Sequence, residues 1–244
     1  MHSRFHSNKK IRICKENKKQ NLHFCRSNYV ITFDYAQNLQ LPYFGEEQPG
    51  DTHYFSPLSL HVFGIVDHSP EKDHLHGFLC HEGEGKKGAN NVASLIKWCL
   101  FHHIIPSNFA PGAQSLANSI TWACDDCTGQ NKNNVVLRLA NMLVEGGYFS
   151  TINTCFLVKG HTKNSCDRNF NSMKQHYHKD NTCTKEQALT RLSKSDNVTM
   201  IDVDSTFFLD IESTQKDLCK KCPSSTISKG HLFIVDSSAP TSVT

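Results

Sequence analysis

The stretch LANSITWACDDCTGQNKNNVVLRLANMLVEGG, residues 116–147, decides the fold. Its first part is a short apolar run of the kind a buried strand needs. Its second part places Val135, Val136, Leu139, Met142 and Leu143 at helical spacing, and Gly146-Gly147 supplies a stop. Between them stand two adjacent acids, Asp125 and Asp126, and a loop rich in amides. A strand that ends in acids and turns directly into a helix is one step of an alternating α/β arrangement.

Working outward, the upstream chain has three strand-like runs. YVITFDYA (29–36) alternates and is rich in β-branched and aromatic residues, SPLSLHVFGIVD (56–67) is a second such run, and HLHGFLCHEG (74–83) is a third. Ser69-Pro70 and the charges after it predict a turn between the second and third, so the three form a meander. NNVASLIKWCLFHH (90–103) carries Val92, Leu95, Ile96, Cys99 and Leu100 on one helical stripe. Downstream, INTCFLV (152–158) predicts a fifth strand. NSCDRNFNSMKQHYHK (164–179) predicts a third helix, with Cys166, Phe170, Met173 and Tyr177 on one side. The order β-β-β-α-β-α-β-α predicts one mixed sheet covered by helices, an α/β fold with the order of the ribonuclease H-like class. The expected division is a basic extension over 1–28, a core over 29–180, and a C-terminal appendage over 181–244 that packs on or extends the core. Within that tail TMIDVDSTFFLDI and HLFIVD can add strands, and TQKDLCKKC a helical turn.

Composition sets the outer limits. The 244 residues suffice for one substantial core or two small ones. No apolar run approaches the roughly 20 residues that span a bilayer, and the basic N-terminus lacks an apolar segment after it. An intracellular protein with no membrane partner is the expectation. The 11 cysteines are odd in number and irregularly spaced, which fits free, mostly buried thiols. Residues 1–28 hold eight Lys or Arg and one acid, Glu16; of the chain's 26 basic and 23 acidic residues this leaves 18 and 22 for the rest. The positive charge is therefore a head, suited to a nucleic-acid backbone, to a solvated linker or to an import signal.

Five acids fall at informative places in that order. Asp34 lies late in the first strand, Glu82 at the end of the third, Asp125 and Asp126 at the end of the fourth, and Asp167 in the first turn of the last helix. Carboxylates gathered at strand ends repel one another unless cations stand between them. Hard divalent ions such as Mg²⁺ or Mn²⁺ take oxygen ligands, and a pair of them activates a water or 3′-hydroxyl for phosphodiester displacement. Any one of these acids alone fits an exposed cap or turn better, that being far the commoner place for an Asp, and it is the set of three that points to a site.

FDYAQNLQLP, HEGEGKKGANNVAS, DDCTGQNKNN and KGHTKNSCDRNF follow one another in an order and spacing that resemble a eukaryotic transposase-derived domain of unknown function. That domain is similar to the DDE-type members of the ribonuclease H-like superfamily, the integrases and transposases. The resemblance covers roughly residues 28 to 240, including the tail DLCKKCPSSTISKGHLFIVD. It implies a metal-dependent nuclease or strand-transferase that acts on DNA, with a nuclear location. Asp34, Asp125 and Asp167 match the three acids, Glu82 the acid before the first helix, and His161 and Asp167 a Gly-His-Thr…Asp-Arg pattern. Asp126 stands where the family usually has Asn, which adds a charge beside the metal-ligating set. Relatives carry more chain upstream, so a fragment of a longer or decayed element is a further expectation, as is loss of activity.

The loop residues admit two readings each. Gln130, Asn131 and Lys132 can meet a phosphodiester, and so can Lys163 and Arg168; the same amides, with Asn133 and Asn134, can simply cap a helix, and the same cations can be solvated. His161 can act as a general acid or base, hold a carboxylate in place, or be structural. Cys124-x-x-Cys127 and Cys219-x-x-Cys222 have zinc-knuckle spacing, but the pairs are far apart in sequence, and zinc is disfavoured beside Mg²⁺ or Mn²⁺. DNA is the expected partner, with a homo-oligomer as a further expectation. The alternative function is a non-catalytic nucleic-acid- or protein-binding domain that keeps the fold.

Overall fold

A computed structural model describes residues 12–14 (backbone only), 29–68, 73–108, 119–157, 165–216 and 218–237. The chain forms a mixed α/β structure of two compact units. Unit 1 comprises Met1–Ile31, Gly88–Thr162 and Leu209–Thr244; unit 2 comprises Thr32–Lys87 and Lys163–Phe208. Strand β2 (Tyr29–Tyr35) runs across the division between Ile31 and Thr32. Among the described residues no helix is long and apolar enough to cross a membrane.

Unit 2 is built on the predicted meander. Its part of β2 is followed by the short β3 (Leu39–Leu41), then β4 (Leu58–Asp67) and β5 (His74–His81), with β2, β4 and β5 side by side in that order. β4 and β5 pair antiparallel from Leu60–His81 to Asp67–His74. The turn expected at Ser69-Pro70 lies outside the described residues. Helix α4 (Ser165–Tyr177) covers this sheet with the predicted face: Cys166, Phe170, Met173 and Tyr177 are all buried. They join Leu60, Val62, Val66, Leu75 and Leu79 in one apolar cluster. Helix α5 (Lys185–Leu192), capped by the Thr184 hydroxyl, adds Ala188 and Leu192 to it. Strand β8 (Val198–Asp202) then pairs in parallel with β5. The distance between α4 and β4 is set by Gly64, where an added Cβ would stand 2.6 Å from the Phe170 ring and 2.8 Å from Leu75. Only a residue without a side chain lets the ring lie flat on the strand at that point.

A lysine fastens the tail to this sheet. Lys185 Nζ reaches Glu84 at 2.6 Å and Asp202 at 2.5 Å, and it donates to the Val203 carbonyl at 3.1 Å. One ammonium thus joins the turn after β5, the start of α5 and the end of β8. Burial pushes the Glu84 carboxyl up, but hydrogen bonding and charge from Lys185, with the His81 N–H, more than reverse this and hold it below the ordinary carboxylate range. Burial pushes Lys185 down, and Asp202 and Glu84 together carry it above its ordinary value.

Unit 1 centres on β6 (Ser119–Asp125) and β7 (Thr151–Leu157), parallel neighbours as β-α-β connection demands. Between them runs α3 (Asn134–Glu145). Helix α1 (Ala89–Cys99) continues through a π-helical segment, Leu100–Ile104, into α2 (Ile105–Asn108). From the tail, α6 (Ile211–Lys216) and α7 (Ser224–Lys229) precede β9 (Leu232–Asp236). β9 pairs antiparallel with β7, and β1 (Arg12–Cys14) with β9. The helix α3 is buried on nearly all sides because α1 and α6 pack on it opposite β7 and β9. Its predicted inner face holds except at Met142, which is half-buried.

The loop between β6 and α3 contains an ion pair. Lys132 Nζ lies 2.9 Å from Asp126 Oδ1, with its side chain 1% exposed against 20% for the acid. The ammonium also donates to the Ser228 carbonyl at 3.3 Å and stands 5.5 Å from the centre of the Phe156 ring. Asn133 caps α3, its side-chain oxygen accepting from the N–H groups of Val135 at 3.0 Å and Val136 at 3.1 Å. Asn134 grips the tail, donating to the Cys222 carbonyl at 3.2 Å and accepting from the Cys222 N–H at 2.7 Å.

The element order differs from the expectation in two respects: β1 precedes the meander, and β3 interrupts it and pairs with β4. The two strands expected of the tail do form, β8 in unit 2 and β9 in unit 1, so the tail after residue 180 extends both units. Short runs such as Leu39–Leu41 have too few residues for a periodic signal.

Three outcomes check this packing. Gly64→Val forces the Phe170 ring off β4 and lowers unfolding free energy by about 1–3 kcal/mol in urea titration. Asp126→Ala leaves a nearly inaccessible ammonium without its counter-charge and costs about 3 kcal/mol, whereas Lys132→Met fills the same volume and leaves a carboxylate that water reaches, costing roughly half as much or less; equal costs would contradict the assignment. Glu84 gives stability at pH values above its unfolded value that is lost as pH falls through its lower folded value. Thermal midpoints measured from about pH 6 down to about pH 3 should therefore fall less steeply in Glu84→Gln than in the parent chain.

Candidate active site

In unit 2, β2 and α4 each bring one acid of the expected set to the same neighbourhood. Asp34 is near the C-terminal end of β2, where its Oδ1 accepts from the Tyr35 N–H at 2.7 Å. Asp167 is exposed in the first turn of α4. The buried thiol of Cys166 feels both. Burial raises it well above its ordinary value, and the charge of Asp34 and then that of Asp167 add to the rise. That thiol donates to the Thr32 carbonyl at 3.3 Å, so the first turn of α4 is bonded directly to the strand that carries Asp34.

Cations and amides surround these acids. Lys87 donates to the Ala36 carbonyl at 3.3 Å and lies 5.0 Å from the centre of the Tyr35 ring. Burial lowers its ammonium below the ordinary value, and Asp34 opposes that fall. Beside Asp167 opens a cavity of about 360 Å³ lined by Ala36, Gln37, Asp167, Phe170, Asn171 and Lys174. The four α4 residues among these recur at i, i+3, i+4 and i+7, one face of the helix. Lys174 donates to the Gln37 side chain at 3.4 Å, which holds an ammonium at the far end of the cavity from the carboxylate. The residues Gln37, Lys87, Asn171 and Lys174 did not emerge from the sequence. For Asn171 and Lys174 the signal was present, since both share the helical face of Asp167.

The remaining predicted residues are distributed as follows. Glu82 is exposed in the turn after β5, its carboxylate accepting from the Ser59 N–H at 3.5 Å, and it is the neighbouring Glu84 that enters the ion network. Arg168 is exposed on α4. His161 and Lys163 lie outside the described residues. In unit 1, Asp125 ends β6 with its Oδ1 buried and without a hydrogen-bond partner among the described residues. Asp126, expected as a metal ligand, is engaged by Lys132, and Lys132, expected at a substrate, is enclosed. Asn131 is fully buried, with neither side-chain atom hydrogen-bonded among the described residues. Gln130 is partly exposed, and its carbonyl accepts from Asn133 at 2.9 Å. The amide run therefore serves chiefly as cap and fastening. The described cysteines are free thiols, with Cys124 donating to the Cys155 carbonyl at 4.0 Å and Cys219 accepting from Asn141 at 3.6 Å.

The donor chemistry fits a hard divalent cation. In unit 2, Asp34 and Asp167 offer carboxylate oxygens from two elements that the Cys166–Thr32 bond ties together. Among the described residues, no three His, Cys, Asp or Glu side chains are already gathered as a metal-holding group.

Against known proteins, one family profile matches, over residues 51–244, and its description is "Domain of unknown function (DUF7869)". No curated protein and no solved structure matches the chain. The matched span includes Asp125, Asp167 and the α4 cavity face and begins after Asp34. On this match over most of its length, the chain belongs to the DUF7869 family.

Proposed function

We propose that this chain is a transposase-derived, DDE-type nuclease or strand-transferase domain that acts on DNA phosphodiesters with Mg²⁺ or Mn²⁺, in a ribonuclease H-like fold. One observation carries the reading. The Cys166 thiol donates to the Thr32 carbonyl at 3.3 Å, so the first turn of α4, which carries Asp167, is tied to β2, which carries Asp34 two residues beyond Thr32. The fold reading draws support from the side-by-side order β2-β4-β5 in unit 2 and from the parallel β6 and β7 in unit 1, with β3, β8 and β9 as additions. The resemblance gives Asp125 the role of the second acid.

Asp34 and Asp167 are the residues of unit 2 that hold the ion. When bound, such an ion polarises a phosphoryl oxygen and makes a water or 3′-hydroxyl nucleophilic. The protein's own groups do the rest. Asn171 and Lys174 meet a phosphate one and two turns along α4 from Asp167. Gln37 orients the Lys174 ammonium, and Lys87 offsets the charge of Asp34 before the ion arrives. The buried ring of Phe170 gives the cavity beside Asp167 an apolar wall. DNA as substrate implies a nuclear location.

A second reading, a domain that binds nucleic acid without cutting it, is favoured by the lack of a preassembled three-residue metal group among the described residues. The two separate in one experiment. Labelled DNA incubated with the chain and Mn²⁺ is cleaved, and Asp34→Asn or Asp167→Asn each lowers the rate by at least about 100-fold, the equivalent of the several kcal/mol an ion supplies. Salt-sensitive binding without cleavage, unaltered by either substitution, supports the second reading. Equal cleavage by all three proteins rejects the first.

A further inference from the structure

The acids of unit 2 sit on two elements that a third residue ties together. His68, just beyond β4, has its Nε2 2.8 Å from the Thr32 hydroxyl and 3.0 Å from the Ser165 hydroxyl. Its Nδ1 lies 3.0 Å from Asp73 Oδ1. An ionised carboxylate only accepts, so Nδ1 carries the proton and Nε2 presents its lone pair to both hydroxyls. Thr32 precedes Asp34 by two residues on β2 and shares its face of the strand. Ser165 precedes Asp167 by two residues at the start of α4.

We infer that His68 is a positioning residue for the cation site: it staples β2 to the N-terminus of α4 and so fixes the separation of Asp34 and Asp167. The inference rests on the metal-site reading above. Thr32 shares the lone pair with Ser165, so the imidazole holds two backbones together and does not leave Ser165 as an activated nucleophile. Asp73 does for His68 what outer partners do for metal-bound histidines, fixing the ring's orientation and tautomer. The Cys166–Thr32 bond is a second tie one residue further along α4, which allows the helix to stay docked when His68 is removed while the acids lose their register.

The test uses the full chain and Mn²⁺ alone as ligand, followed by calorimetry and by the loss of the free-ion paramagnetic resonance signal. In His68→Ala the dissociation constant for Mn²⁺ rises about 10-fold, as outer positioning groups typically require. His68→Gln, whose amide reaches the Nε2 position, recovers most of that loss. The metal-free thermal midpoint is followed in parallel, because a merely structural role lowers it without changing Mn²⁺ affinity in the folded protein. Thr32→Val and Ser165→Ala each reproduce part of the effect. Unchanged Mn²⁺ affinity in His68→Ala, with binding abolished in Asp34→Asn and Asp167→Asn, overturns this inference and leaves the metal site standing. Mn²⁺ binding that is indifferent to Asp34 and Asp167 overturns both.

Discussion

The closeness of α4 to β4 at Gly64 governs where Asp167 can stand. The Phe170 ring rests on a strand position that has no side chain, and Cys166, Met173 and Tyr177 follow it into the same cluster. A helix packed at that distance brings its first turn against the strand that carries Asp34, and the thiol-to-carbonyl bond from Cys166 to Thr32 closes the contact. The core of unit 2 thus sets where the backbones of Asp34 and Asp167 stand, and under the proposed function it sets the cation site as well.

The two acids at the end of β6 receive opposite treatment. Asp126 meets the enclosed Lys132 ammonium, which the Ser228 carbonyl and the Phe156 ring also contact, so its extra charge is neutralised within unit 1. Asp125 keeps a buried oxygen with no hydrogen-bond partner among the described residues. A buried charge is tolerated when paired and costly when not, so the two adjacent acids, alike in the sequence, stand in different environments. Glu84 and Asp202 follow Asp126, since both are engaged by Lys185 in unit 2.

Much of this was legible in the residues. Alternation marked β2, β4 and β5, the 3.6-residue stripe gave the α4 face residue for residue, and Asn133 stood where an N-cap belongs. The tail was less readable because β8 and β9 are short and owe their place to pairing with β5 and β7, which no local pattern encodes. Lys132 was misleading for a physical reason: a lysine beside amides in a polar loop suggests solvent or phosphate, and only the fold brings Ser228 and Phe156 over it. His68 was invisible for the same reason, since its partners Thr32 and Ser165 come from distant parts of the chain.

The central claim is that Asp34 and Asp167 together hold a divalent cation. The most direct measurement is an anomalous difference map from a crystal of the chain soaked in Mn²⁺. The account predicts a peak with carboxylate oxygens of both Asp34 and Asp167 at roughly 2.0–2.2 Å. Clear density for both side chains with no peak between them, or a peak held by other residues alone, would contradict it.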